Sequence, residues 1–388
     1  MKTKGSILFA GCEYYNTWYL SRELRKYGWE ADLLNWDSNK ESWHHYHGWD
    51  YLFKYNSEKD LKYQFNFYLK TLDKYDIFHF SNVGGISFGS KINQCFKKYM
   101  PINEIEYIKL LGKKILYTNN GCLDGVLQSS FSKWGPHNTC NICKWKEVPE
   151  VCSDYVNEKW GKFRNQMADF QCTLGGNRKD YNDNENVHEV PEFYCLDPNF
   201  WNPNLKIPNQ FKLQDSAKVK IFHSIANKKQ RTNDDGVDIK CSHIYEPLFE
   251  ELIAEGFQIE PIFASNLKNE EVRYIQVQAD IVVDMLTFGF FGANIREALM
   301  LGKTCVCFLR PEWLVSMKKE IPDYVDELPV ISATPETIKE VLIDLIQSPQ
   351  KRIDLGKRGR EFALKWHSAQ SGGKKMDEIY SSILDYNK

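Results

Sequence analysis

Three groups of residues in this 388-residue chain have types and spacings suited to chemistry. His223-Ser224 is followed closely by Asn227, Lys228, Lys229 and Arg231. Cations packed into one loop neutralise anionic oxygen, and an arginine can do so through two parallel N–H bonds. Further on, Asp284 leads to Gly289 and Gly292; Ala293 and Asn294 open a helical pattern, with Glu297 one turn into it. Glycines let a ligand approach the backbone, and a helix N-terminus presents free N–H groups and the positive end of a dipole. A diphosphate suits that arrangement, with Glu297 accepting hydrogen bonds from ribose or sugar hydroxyls. The competing readings are a tight strand-to-helix turn, a solvated glutamate and an exposed basic loop. The third group is Cys122, Cys140, Cys143 and Cys152, which reads either as a closed four-thiolate zinc site with a structural role or as free thiols, His137 being an alternative ligand. His44, His45 and His47 lie among Trp43, Tyr46 and Trp49 and read as a mobile aromatic acceptor loop, its rings suited to stacking on sugars, rather than as a metal site.

The elements that must position these residues follow an α/β rhythm. The run Ser6–Ala10 predicts a buried strand ending at Gly11, followed by a helix with Leu20, Leu24 and Tyr27 in phase and Gly28 at its end. Strands are expected at 77–80, 114–118 and 170–174, with a helix at 105–111. Between Pro191 and Pro208 four prolines among Asn and Trp mark a linker. The rhythm then restarts with strands at 219–223, 257–263, 280–283 and 304–308 and helices at 244–255, 269–278 and 294–301. Helices over 336–347 and 376–386 close the chain. Strands alternating with helices imply parallel sheets, so two doubly wound Rossmann-like domains facing a cleft are expected. Their spans are 1–205 and 206–370, with a C-terminal helix in 371–388. In such sheets ligands sit beyond the carboxyl ends of the strands, where the loops after Gly11, Phe80, Thr118, His223 and Asp284 fall.

The segment from Ala279 through Asp284 to Gly292, continued by Arg296-Glu297-Ala298-Leu299-Met300-Leu301-Gly302-Lys303, resembles the donor-site signature of the group-1, retaining-type glycosyltransferases of the GT-B fold. His223-Ser224, Asn227-Lys228 and Arg231 resemble that family's diphosphate-gripping loop. The resemblance implies transfer of a sugar from a nucleoside-diphosphate sugar with retention of configuration; Lys228, Arg231 and the N–H groups near Gly292 to Asn294 can together neutralise the departing diphosphate, so catalysis is expected to need no metal ion. Lys228, Arg231 and Glu297 become candidate catalytic residues, and His223, Ser224, Asn227, Asp284, Gly289, Gly292, Ala293 and Asn294 become donor-binding ones. Gly11, His79, Asn120 and Asp124 fall on the acceptor side. The sequence departs from the family at Gly289, where the first of two glutamates is usual, at Arg231, where lysine is usual, and at Asn120, where many relatives place histidine.

Bulk properties limit the alternatives. Lys and Arg total 50 against 52 Asp and Glu, a net charge of −2, so no global field attracts nucleic acid or anionic lipid. The apolar stretch at 281–295 is broken by Asp284 and glycines, so no transmembrane span is expected, peripheral membrane contact staying open. Eleven cysteines without a secretory leader fit reduced thiols and a cytoplasmic setting. The expected partners are a nucleotide sugar and a glycan or glycolipid acceptor in surface polysaccharide synthesis. Two other classes are a catalytically degenerate GT-B protein that binds nucleotide or glycan, and a redox- or metal-regulated protein centred on Cys140 and Cys143.

Overall fold

Apolar runs too short for helices, such as Ile281–Val283, are buried on both faces, as interior strands of parallel sheets are. The computed structural model describes residues 3–11, 14–36, 47–53, 58–81, 85–119, 121, 126–135, 137–175, 178–225, 228–265 and 267–385. The first sheet is built from β1 (Ser6–Ala10), β2 (Glu30–Trp36), β3 (Tyr51–Phe53), β4 (Ile77–Phe80), β5 (Lys114–Thr118), β6 (Phe170–Thr173) and β7 (Val187–Glu189). Its order is β3-β2-β1-β4-β5-β6-β7, with β1 parallel to both neighbours through Leu8↔Asp32 and Leu8↔Phe78. The second contains β8 (Val219–Ser224), β9 (Ile259–Ala264), β10 (Ile281–Val283), β11 (Thr304–Cys307) and β12 (Ile331–Ser332), in the order β12-β11-β10-β8-β9. The expected α/β class with two doubly wound parallel sheets is what forms.

Strand order reverses between β1 and β4 in one sheet and between β8 and β10 in the other. Connections leaving neighbouring strands there turn to opposite faces and open a crevice at the carboxyl ends. The two crevices face each other.

One apolar cluster runs through both halves, joining Phe9, Leu20 and Tyr194 to Trp201, Phe291, Trp313 and Tyr380. The chain returns from the second half beside its outward crossing, with the Leu196 N–H donating to the His367 carbonyl at 2.8 Å and the Ala369 N–H to the Leu196 carbonyl at 2.7 Å. The last helix, Ala369–Asp385, then lies on the first half. Asp377 accepts from Lys4 Nζ and from Trp29 Nε1, both at 2.7 Å. Only a glycine fits at 372, because a Cβ there would stand 2.6 Å from the Glu192 carbonyl oxygen.

Candidate functional site

A cavity of about 360 Å³ lies where the two crevices meet. From the second half, Ser224, Arg231, Lys240, Gly292, Ala293, Asn294, Arg296 and Glu297 line it; from the first, Asn119, Gly121, Phe131, Thr173, Leu174, Gly175 and Tyr194 do, with Tyr14 and Asn16 following β1. Thus Ser224, Arg231, Gly292, Ala293, Asn294 and Glu297, distant in sequence, come together on one wall.

Gly292 caps the helix Ala293–Met300 and offers no side-chain bond to its free N–H groups, which leaves that end available to an anion. Asn294 is braced from behind, where Gln276 Nε2 donates to its carbonyl at 3.1 Å and its Oδ1 at 3.0 Å. Gly289 adopts φ +93°, a left-handed conformation, and a Cβ at this position would meet Arg310 Cβ at 3.0 Å. The space where a longer side chain would begin is therefore taken by Arg310. Its guanidinium sits 3.5 Å over the Trp134 ring, and burial lowers its pKa to about 10.

Glu297 is held from both halves. Its Oε1 accepts from the Tyr15 hydroxyl at 2.7 Å and from Asn269 Nδ2 at 2.9 Å. Burial raises the carboxyl pKa, which these two bonds and the neighbouring Arg296 partly oppose. His47 extends the network: its Nε2 is hydrogen-bonded with Asn269 Oδ1 at 2.8 Å and its Nδ1 with the Tyr19 hydroxyl at 2.5 Å. This member of the expected aromatic loop bridges the halves; His44, His45, Trp43 and Tyr46 lie outside the described residues.

The remaining expected residues stand elsewhere. Lys228 is half exposed and ion-paired with Glu246 at 2.8 Å, off the cavity wall. The wall cation beside Arg231 is instead Lys240, delivered by the polar loop that precedes the helix Ser242–Ala254. Lys240 Nζ meets Asp284 Oδ1 at 2.7 Å, and Asp284, only 1% exposed, sits behind it rather than on the wall. A cation anchored by a buried carboxylate is preoriented, which loop position alone did not reveal. Lys240 directly precedes Cys241, whose left-handed φ of +63° turns the chain into that helix. His223 is buried, hydrogen-bonded through Nε2 with Ser242 Oγ at 2.9 Å, and burial lowers its pKa to about 4. Gly11 ends β1 with φ +95° but does not reach the wall. His79 is fully buried, its ring nitrogens engaged by Tyr380 and Thr118 hydroxyls at 2.7 Å each. Asn120, Asp124, Asn227 and Cys122 lie outside the described residues.

The zinc expectation is not supported. Among the described residues no set of three or more His, Cys, Asp and Glu side chains stands in a metal-ligating arrangement. Cys140 and Cys152 are buried, burial pushing the Cys140 thiol up to about 12. Their environment favours the neutral thiol over the thiolate that zinc takes. His137 Nε2 goes to Glu336 at 2.9 Å. No helix among the described residues is long and apolar enough to cross a membrane.

No family model matches the chain, and no curated protein sequence matches it. Solved structures do. Sucrose-phosphate synthase from Thermosynechococcus elongatus superposes with a TM-score of 0.61 at 12% identity, covering 98% of this chain and 100% of that one. HepE from Anabaena in complex with UDP-glucose gives 0.57 at 11% identity over 97% and 100%, and its complex with UDP gives 0.55 at 10%. At such identities the likeness speaks to the fold alone: the chain has the GT-B fold, two doubly wound halves facing a cleft.

Proposed function

We propose that the protein is a glycosyltransferase that takes a sugar from a nucleoside-diphosphate donor held in the 360 Å³ cavity, the second half binding the donor and the first half the acceptor. In this reading the working units are 1–205, 206–370 and a C-terminal helix within 371–388. The observation that carries it is the convergence of Arg231, Lys240 and the uncapped helix start at Gly292–Asn294 on one wall, with Glu297 beside them. The HepE complexes with UDP and UDP-glucose support it through a shared fold.

Charge on the leaving diphosphate grows as the glycosidic bond breaks, so fixed cations and N–H dipoles aimed at it act mainly in the transition state. Arg231 and Lys240 serve that role, Asp284 holding Lys240 in place. Glu297, braced by Tyr15 and Asn269, anchors donor hydroxyls. Two cations and a helix N-terminus can take the charge that a divalent ion would otherwise neutralise, so transfer proceeds without one, and we expect retention of configuration. The acceptor is a glycan or glycolipid of surface polysaccharide synthesis.

Incubation with a panel of nucleotide sugars, with and without EDTA, tests this. Donor hydrolysis or transfer that releases nucleoside diphosphate and persists in chelator is the expected result. Tight nucleotide binding with no turnover over any acceptor would favour the binding-protein reading instead.

A further inference from the structure

We propose that the acceptor carries an oxyanion and that Arg296 receives it. The inference rests on the donor reading above and names a property of the second substrate. Arg296 is only 7% exposed and lines the cavity. Among the described residues no carboxylate forms an ion pair with it. Among the described residues its guanidinium makes one hydrogen bond, from NH1 to the Phe291 carbonyl, and that bond is long at 3.4 Å. Another cation on the wall, Lys240, has Asp284 as counter-ion. The acid next to it in sequence, Glu297, turns Oε1 to Tyr15 and Asn269. Glu297 acts on Arg296 through space without an ion-pair contact, so the buried guanidinium keeps N–H donors that a ligand oxyanion can fill.

The position of Arg296 assigns that ligand to the acceptor. Its guanidinium lies 5.1 Å from the ring centroid of Tyr194, a first-half residue whose hydroxyl donates to the Asn119 carbonyl at 2.6 Å. Asn119 and Thr173, at the ends of β5 and β6, share this part of the wall. Arg296 thus addresses the first-half side of the cavity, whereas Arg231, Lys240 and the helix start address the donor. A phosphate or carboxylate on the acceptor would meet a planar fork matched to its oxygens.

Calorimetric titration of the UDP-saturated full chain with glucose 6-phosphate, glucuronate, glucose and a polyprenyl phosphate in detergent micelles tests this. At least one oxyanion ligand should bind and should weaken about tenfold or more in Arg296→Gln, while UDP affinity stays within about threefold. Arg296→Lys should recover part of the loss, and glucose should be indifferent to either change. A response to the sugar anions identifies a soluble acceptor, and a response to the polyprenyl phosphate a lipid-borne one. The proposal is overturned if no oxyanion ligand binds, if Arg296→Gln binds them unchanged, or if that variant loses UDP instead, which would place Arg296 on the donor diphosphate. If the parent chain binds no nucleoside diphosphate, the donor reading fails separately, and the same titrations on the ligand-free chain still report on Arg296.

Discussion

At the residue scale, the wall cation that precedes a left-handed cysteine should outweigh the one the loop sequence advertised. Removing one preorganised donor from a charge-developing site typically costs about 10²–10³-fold in turnover. Lys240→Gln and Arg231→Ala should each lower kcat by that order, whereas Lys228→Gln, which breaks only an exposed pair with Glu246, should stay within about twofold. Because Lys240→Gln strands a buried Asp284, the double variant with Asp284→Asn separates lost catalysis from lost folding. Equal losses at Lys228 and Lys240 would contradict this assignment. Glu297→Gln should act on donor KM more than on kcat, since hydroxyl anchoring precedes the chemistry. The places of Arg231, Glu297 and the Gly292–Asn294 turn on the cavity wall were legible because loop chemistry and helix starts are local. Lys240 was not, because its role depends on Asp284, a strand end far away in sequence.

At the element scale, the strands read correctly include those with unbroken apolar runs, such as Ile7–Ala10 of β1 and Ile281–Val283 of β10. The strand β2 escaped because it buries Asp32, which breaks the apolar pattern. Its carboxylate accepts from Lys74 Nζ at 2.7 Å and the Tyr75 hydroxyl at 2.6 Å through Oδ2, and from Arg25 at 2.8 Å through Oδ1. No local period announces a charge satisfied from two other elements. Edge strands β3 and β12, with three and two residues, are too short for any pattern. The last helix lies on the first half through tight glycine contacts, which gives a direct check. Gly372→Ala places a methyl 2.6 Å from the Glu192 carbonyl and 2.9 Å from Leu20 Cδ1's partner methyl, Cδ2. Overpacking of that kind costs about 1–3 kcal/mol, so the urea midpoint should fall; an unchanged midpoint would mean the helix does not seat as described.

At the scale of the whole molecule, the two halves and the crossing between them each depend on a histidine kept neutral by burial. His79 lies under the last helix, His367 at the crossing and His223 in the second sheet; burial lowers their pKa values to about 3, 3 and 4. An unfolded histidine titrates near 6.5, so between these values the unfolded chain binds more protons than the folded one. Stability is then fully present above about pH 6.5 and falls as pH drops toward 3 or 4. The buried carboxyls Glu192 and Glu297, whose pKa values are raised, oppose this, because their contribution is lost as pH rises above the ordinary glutamate range. Three histidines against two acids leave acid destabilisation dominant, at about 1 kcal/mol per histidine on going from pH 7.5 to 5.5. Urea midpoints across that range should therefore decline, and His79→Gln, which cannot take up a proton, should decline less steeply than the parent despite a lower midpoint at pH 7.5. A midpoint independent of pH, or a variant with the parent's slope, would show that the cores on either side of the cleft do not hold these rings as the hydrogen bonds to Tyr380, Thr118, Tyr324 and Ser242 imply.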